Sequence, residues 1–256
     1  MKRVFITGAS SGIGAALALR YARQGATLGL LARRGDALEQ LIASLPNPQL
    51  HRAYALDVND HAGLRGAAAE FMAYAGGIDV VVASAGVSYG TLTEHPEDLE
   101  AFAAIMAINV TATVATFAPF IATMKAQATP ARLVGIGSVA GLRGLPGAEA
   151  YSASKAAVIS YCESLRLELK PYGIRVVTIL PGYIDTPMTE KNGYAMPFLM
   201  RPEKFAAKAV ATIAAGASYR VIPWQMGIVA KLLRALPNFL YDLAFAKAPH
   251  KARKAP

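Results

Sequence analysis

The chain has 256 residues, a net charge of +9 and a pI near 9.7, yet 54% of it is hydrophobic, only 17% is charged and mean hydropathy is +0.33. Such a chain is too apolar to be disordered and long enough to bury one large core. Its single cysteine, Cys162, excludes an internal disulfide framework and a cysteine-cluster metal site, and no metal is expected. The opening MKRVFITG lacks the ~7–15-residue apolar run of a leader, and no stretch approaches the ~18 apolar residues of a membrane span. The chain is therefore expected to be cytoplasmic, or attached to a membrane surface without crossing it.

Most of the excess charge is local. Residues 1–219 carry nineteen basic and sixteen acidic side chains, whereas residues 220–256 carry seven basic and one acidic. A nucleic-acid protein spreads its basic residues along a binding face with aromatics for stacking, so no nucleic-acid partner is expected.

In chain order, short apolar runs at Val4–Ile6, Thr27–Ala32, Gln49–Leu56, Asp79–Ala83, Arg132–Ile136 and Arg175–Leu180 read as strands. Between them, alanine-rich stretches at Ile13–Arg23, Asp36–Ser44, His61–Ala73, Leu99–Met124 and Ser152–Leu169 read as helices. This alternation predicts an α/β fold: a Rossmann-like, doubly wound parallel sheet in three layers, forming a single domain. Residues 1–219 make up the body of the domain, with 187–203 as an irregular insert and 220–256 as a distinct amphipathic, basic tail.

The first strand runs directly into Thr7-Gly8-Ala9-Ser10-Ser11-Gly12-Ile13-Gly14 and then a helix. Glycines at 8, 12 and 14 allow a sharp turn that brings backbone N–H groups and a helix N-terminus against a pyrophosphate. An ordinary glycine-rich turn is the alternative, but the strand–loop–helix context favours a dinucleotide. An NAD site wants a carboxylate ~20 residues past the glycines. Here the second strand ends Leu31-Ala32-Arg33-Arg34, two guanidiniums suited to a 2′-phosphate, so the expected cofactor is NADP(H). The alternative is a pair of solvated arginines. Asp36 heads Asp36-Ala37-Leu38-Glu39 and reads as a helix cap.

Tyr151 and Lys155 in Tyr151-Ser152-Ala153-Ser154-Lys155 share a helix face. Neither group transfers protons readily at neutral pH alone, but an adjacent ammonium together with an oxidised nicotinamide would favour the phenolate. Ser138, at the end of Gly135-Ile136-Gly137-Ser138, offers a hydroxyl that can polarise a carbonyl. A surface Tyr–Lys pair is the plainer alternative. Cys162 has no visible acid–base partner and reads as a small packing residue.

With these motifs in order over roughly residues 3–190, the sequence resembles the short-chain dehydrogenase/reductase family. The resemblance implies that Tyr151 and Lys155 are catalytic, that Ser138 orients substrate, and that Asn109 holds a water in the proton relay. It implies cofactor contacts from Gly8, Ser10, Ser11, Gly12, Ile13 and Gly14, from Asp57 and Val58 at adenine, and from Ala85 and Gly86 at the adenosine ribose. It further implies contacts from Pro181, Gly182, Ile184 and Thr186, the last two at the nicotinamide carboxamide, and from Tyr151 and Lys155. One departure is plain: Ala83-Ser84-Ala85-Gly86 stands where the family has Asn-Asn-Ala-Gly. Ser84 is the candidate to replace part of the lost hydrogen bonding.

The implied reaction is NADPH-dependent reduction of a ketone. Met188, Tyr194, Met196, Phe198, Leu199 and Met200 in the insert, with Val87–Tyr89 and Leu142–Leu145, suggest an apolar pocket for a 3-oxoacyl, keto-sphingoid or steroid-like compound; alternatively, these residues simply pack their loops. Oxidation of an alcohol, reduction of a small ketone and a silent cofactor-sensing regulator are the competing functions. In the tail, Ile228, Leu232, Leu236, Phe239 and Leu243 recur at helical spacing, Pro237 splits the pattern in two, and Lys247–Lys254 forms a basic end. This tail either meets an anionic membrane surface, with Trp224 at the interface, or packs on its own domain or a second subunit. A homodimer or homotetramer is expected.

Overall fold

The computed structural model describes residues 1–253 apart from Ala128, Lys191 and Pro249. The proposed basic end therefore falls partly outside the described residues, at Pro249 and Lys254.

Seven parallel strands form one sheet in the order β3-β2-β1-β4-β5-β6-β7. They are β1 (Arg3–Thr7), β2 (Thr27–Ala32), β3 (His51–Ala55), β4 (Val80–Ala83), β5 (Arg132–Ile136), β6 (Arg175–Pro181) and β7 (Tyr219–Ile222). The helices are α1 (Gly12–Ala22), α2 (Gly35–Ser44), α3 (His61–Ala75), α4 (Asp98–Met106), α5 (Ala112–Ala126), α6 (Glu149–Leu169), α7 (Pro202–Ala215), α8 (Trp224–Ala235) and α9 (Asn238–Phe245). The expected doubly wound sheet is thus present, with one further strand and the helix α7 beyond those read from the sequence.

The central strands are buried on both faces, which explains their continuous apolar runs. Alternate residues of β1 separate two cores. Val4 and Ile6 pack with Leu17 and Tyr21 of α1 and Phe205 and Ala209 of α7. Phe5 faces the opposite way, into Phe71, Phe117 and Phe120 of α3 and α5.

The expected single helix Leu99–Met124 is two α-helical pieces joined by a π-helical turn at Ala107–Thr111, which contains Asn109. Such turns recur at functional sites because they re-aim one side chain within a continuous helix. The Asp98–Ala126 stretch has the length of a membrane span and contains an 18-residue window of mean hydropathy 1.8, contrary to the sequence expectation. It is nevertheless part of the domain's layered packing, with Phe117, Phe120 and Met124 buried against the sheet.

Asp36 does not cap α2. The helix already begins at Gly35 after Arg34, and no side chain caps it, so Asp36 occupies the first turn and acts there through its charge alone. Cys162 is buried on α6, where it packs over Gly135 of β5.

The tail folds as two short helices separated at Leu236-Pro237, as the proline predicts. One face packs inward: Met226, Ala230 and Tyr241 are buried, and the Tyr241 hydroxyl donates to the Gly144 carbonyl. The face expected to seek a partner remains at the surface, with Trp224 61%, Leu232 63%, Phe239 71% and Leu243 79% exposed.

Candidate active site

Parallel strands end on one side of the sheet, and a crevice opens there between β1 and β4, where the strand order changes direction. The crevice is a cleft of about 580 Å³, within the range of small-molecule sites. Every residue assigned to the cofactor lines it: Gly8, Ser10, Ser11, Gly12, Ile13, Gly14, Arg33, Arg34, Asp57, Val58, Ala85, Gly86, Tyr151, Lys155, Pro181, Gly182, Ile184 and Thr186. Ser138 joins them, while Asn109 stands one layer behind.

The floor is built on glycine for steric reasons. A Cβ on Gly8, whose φ is +69°, would lie 2.7 Å from the backbone of Ala85. One on Gly14 would lie 2.3 Å from the Gly8 carbonyl oxygen. The loop can therefore close only on bare backbone, which leaves its amides at the N-terminus of α1 available to an anion. The residues present fit a dinucleotide.

At the adenosine end, Arg34 donates to the Ser10 hydroxyl at 3.2 Å and Arg33 stands 3.9 Å from the Asp57 carboxylate. Both arginines are exposed at the rim, and no carboxylate ends β2.

The loop after β4 departs from the expectation for Ser84. Among the described residues the Ser84 hydroxyl makes no hydrogen bond. Instead the Thr7 hydroxyl oxygen accepts the Ser84 and Ala85 amides at 3.3 and 3.4 Å. Thr7 is a β1 residue, so its side-chain hydroxyl ties β1 to the backbone that follows β4. Asn109 finishes the brace. Its Oδ1 accepts from the Val87 amide at 2.9 Å, and its Nδ2 donates to the Val87 carbonyl at 3.0 Å and to Ser154 Oγ at 2.9 Å. Its side chain therefore positions the loop and α6 from behind the cleft.

Ser138, Tyr151 and Lys155 meet at the other end. Gly141 makes that meeting possible, because a Cβ there would lie 2.6 Å from the Lys155 backbone. The Ser138 Oγ accepts from the Ala140 amide at 3.1 Å, which orients its own proton away from the turn. Burial pushes the Tyr151 phenol up, and its hydrogen bond with Ser138 pulls it partly back. Lys155, 6% exposed, donates to the Ile136 carbonyl at 3.0 Å, with its Nζ 5.8 Å from the Tyr151 ring centre. Burial lowers its pKa to about 8. Lys155 is directed at the Ile136 carbonyl, and burial is the largest influence on the Tyr151 phenol.

The insert contributes Pro187, Met188 and Thr189 to the cleft wall, and Tyr194 packs edge-on against Tyr183. Phe198 and Leu199 stay exposed. Arg143 is not a pocket wall: its guanidinium donates to the carbonyls of Leu233, Arg234 and Leu236 and so caps the end of α8. Cleft residues to which the sequence reading gave no cofactor or substrate contact include Ala32, Ser84, Ile136 and Gly137. All sit at or just past the C-terminal ends of strands, the position that marks them in this topology.

A model described as short chain dehydrogenase matches residues 2–196. An uncharacterized oxidoreductase of Myxococcus xanthus (strain DK1622) is 36% identical over 247 residues, spanning 95% of this chain and 96% of that protein. An 11-beta-hydroxysteroid dehydrogenase-like 2 of Arabidopsis thaliana is 33% identical over 256 residues, spanning 95% and 82%. Among solved structures, a 3-ketoacyl-(acyl-carrier-protein) reductase from Brucella melitensis complexed with NADH superposes with a TM-score of 0.77 at 26% identity, over 86% of this chain and 96% of that one. Fold and site define a nicotinamide-dependent oxidoreductase. The chain belongs to the short-chain dehydrogenase/reductase family.

Proposed function

We propose that the protein is an NADPH-dependent reductase of hydrophobic ketones. The observation that carries this reading is one cleft with two ends: a glycine-floored crevice runs from Arg33 and Arg34 to Ser138, Tyr151 and Lys155. The Brucella reductase is complexed with NADH, whereas the paired guanidiniums at the end of β2 support a 2′-phosphate here. The bound cofactor supplies the hydride. Tyr151, kept protonated by burial, donates its proton to the carbonyl oxygen as charge develops there. The Ser138 hydroxyl donates a hydrogen bond to the same oxygen. Lys155 binds the nicotinamide ribose and, with cofactor in place, restrains the phenolate. Asn109 holds the surrounding loop and helix in register.

Met188 in the cleft wall supports an apolar substrate. Following NADPH oxidation against long-chain ketones, ketosteroids and ketose sugars should give kcat/KM values at least about tenfold higher for the apolar compounds, the discrimination a few methylenes supply. Preference for sugars, or turnover only with alcohols and NADP+, would overturn the reading.

The exposed apolar face of α8 and α9, flanked by Lys231 and Lys247, supports a peripheral seat on an anionic bilayer. The protein should co-float with phosphatidylserine-containing vesicles, and Leu232→Glu with Phe239→Glu should leave it in the dense fraction. Equal behaviour of both forms contradicts the membrane seat.

A further inference from the structure

Residues 250–253 of the tail lie against the body of the domain. After α9 the chain turns back, and residues 250–253 cross the loop that follows β4, with Gly90 paired to Arg253 as a parallel bridge. The Gly90 amide donates to the Ala252 carbonyl at 2.8 Å. Two glycines clear the path: a Cβ on Gly90 would lie 2.2 Å from the Lys251 carbonyl oxygen, and one on Gly147, at φ +64°, would lie 2.7 Å from the His250 Cβ. Arg253 anchors the crossing, with contacts of 2.8 and 3.1 Å to the Asp98 carboxylate and 2.8 Å to Glu97. This strap carries a second ammonium to the catalytic tyrosine. Lys251 Nζ is 5.7 Å from the Tyr151 ring centre and donates to the Ser88 hydroxyl at 2.8 Å.

Lys251 is half-buried, and burial lowers its pKa. Among the described residues no carboxylate pairs with it, because Glu97 and Asp98 are engaged by Arg253. A partly desolvated cation held by a neutral hydroxyl and an aromatic ring keeps donor capacity to spare beside Tyr151. It serves no step of the reduction, since Tyr151 already supplies the proton.

We infer that Lys251 is a specificity-determining residue whose ammonium binds a carboxylate carried by the substrate close to its ketone. The enzyme then takes keto acids with an apolar chain. The apolar chain lies toward Met188, and the acid meets the strap. This inference rests on the ketone-reductase reading and narrows its substrate class.

The test compares a medium-chain 3-oxo acid with its methyl ester, using NADPH as reductant. Wild type should show a kcat/KM ratio of acid to ester of about 10–100, the range of a charge-assisted contact. Lys251→Met should bring the ratio near one, chiefly through KM for the acid, and Lys251→Glu should drive it below one. Arg253→Met, which loosens the strap without altering the ammonium, should lower the ratio as well, and Arg253→Lys should restore part of it. A wild-type ratio near one, or an equal loss on acid and ester in Lys251→Met, overturns the inference while leaving the reductase reading standing. Absence of NADPH oxidation with both compounds and with neutral ketones overturns both together.

Discussion

Replacing Tyr151 by phenylalanine should cut NADPH-driven ketone reduction by about 10²–10⁴-fold, the contribution of a positioned general acid, while cofactor affinity falls far less. The ring stays and only the hydroxyl next to Ser138 is removed. Lys155→Met should lose rate as well and should also weaken cofactor binding, because Lys155 is assigned to the ribose. The two variants separate further in stability. The Lys155 side chain titrates near 10.5 when free and near 8 when folded. Between those values the unfolded chain holds more protons, so the stability of the wild type rises with pH there. The thermal stabilisation produced by Lys155→Met is therefore greatest below about pH 8 and fades toward pH 10.5. Calorimetry of the cofactor-free protein at pH 7 and pH 10 measures it. A variant less stable than wild type at pH 7, or a gap that widens with pH, contradicts the account of Lys155 as a costly buried cation.

The second large effect concerns the arginine pair. Arg33→Ala should lower the ratio of NADPH to NADH affinity by about 10–100-fold, as expected for losing a charge-assisted contact to phosphate. Arg34→Ala should weaken both cofactors, since Arg34 also donates to Ser10 in the phosphate loop. Fluorescence titration of the two nucleotides reads both outcomes. An unchanged ratio in Arg33→Ala removes the 2′-phosphate assignment.

Most of the sheet was legible because its strands are buried on both faces and so carry uninterrupted apolar runs. β7 escaped because it is a short edge strand whose Tyr219 and Arg220 are exposed. α7 was absent from the reading although Phe205, Ala206, Ala209, Val210 and Ile213 mark its buried face at helical spacing. The cleft residues were legible through local motifs, since a glycine loop, a strand end and a Tyr-x-x-x-Lys turn each act within a few residues of chain. What remained hidden depends on distant pairs. Thr7 replaces an asparagine from another strand, Arg143 caps a helix ninety residues on, and Lys251 reaches the site only because Gly90, Gly147, Glu97 and Asp98 receive the strap. A basic, proline-containing end gives no local sign of such a return.

The same contacts change the meaning of the net charge. Of the basic residues concentrated after residue 219, Arg253 is paired with two carboxylates and Lys251 lies near the Tyr151 ring.

The central claim, hydride transfer to a ketone carbon with Tyr151 as the proton donor, is tested most directly by following the hydrogen itself. NADPH carrying deuterium at both nicotinamide C4 positions, incubated with an apolar ketone, should give an alcohol with one deuterium on the carbinol carbon from wild type and almost no such alcohol from Tyr151→Phe. Unlabelled alcohol from wild type, or equal labelling by both proteins, would contradict it.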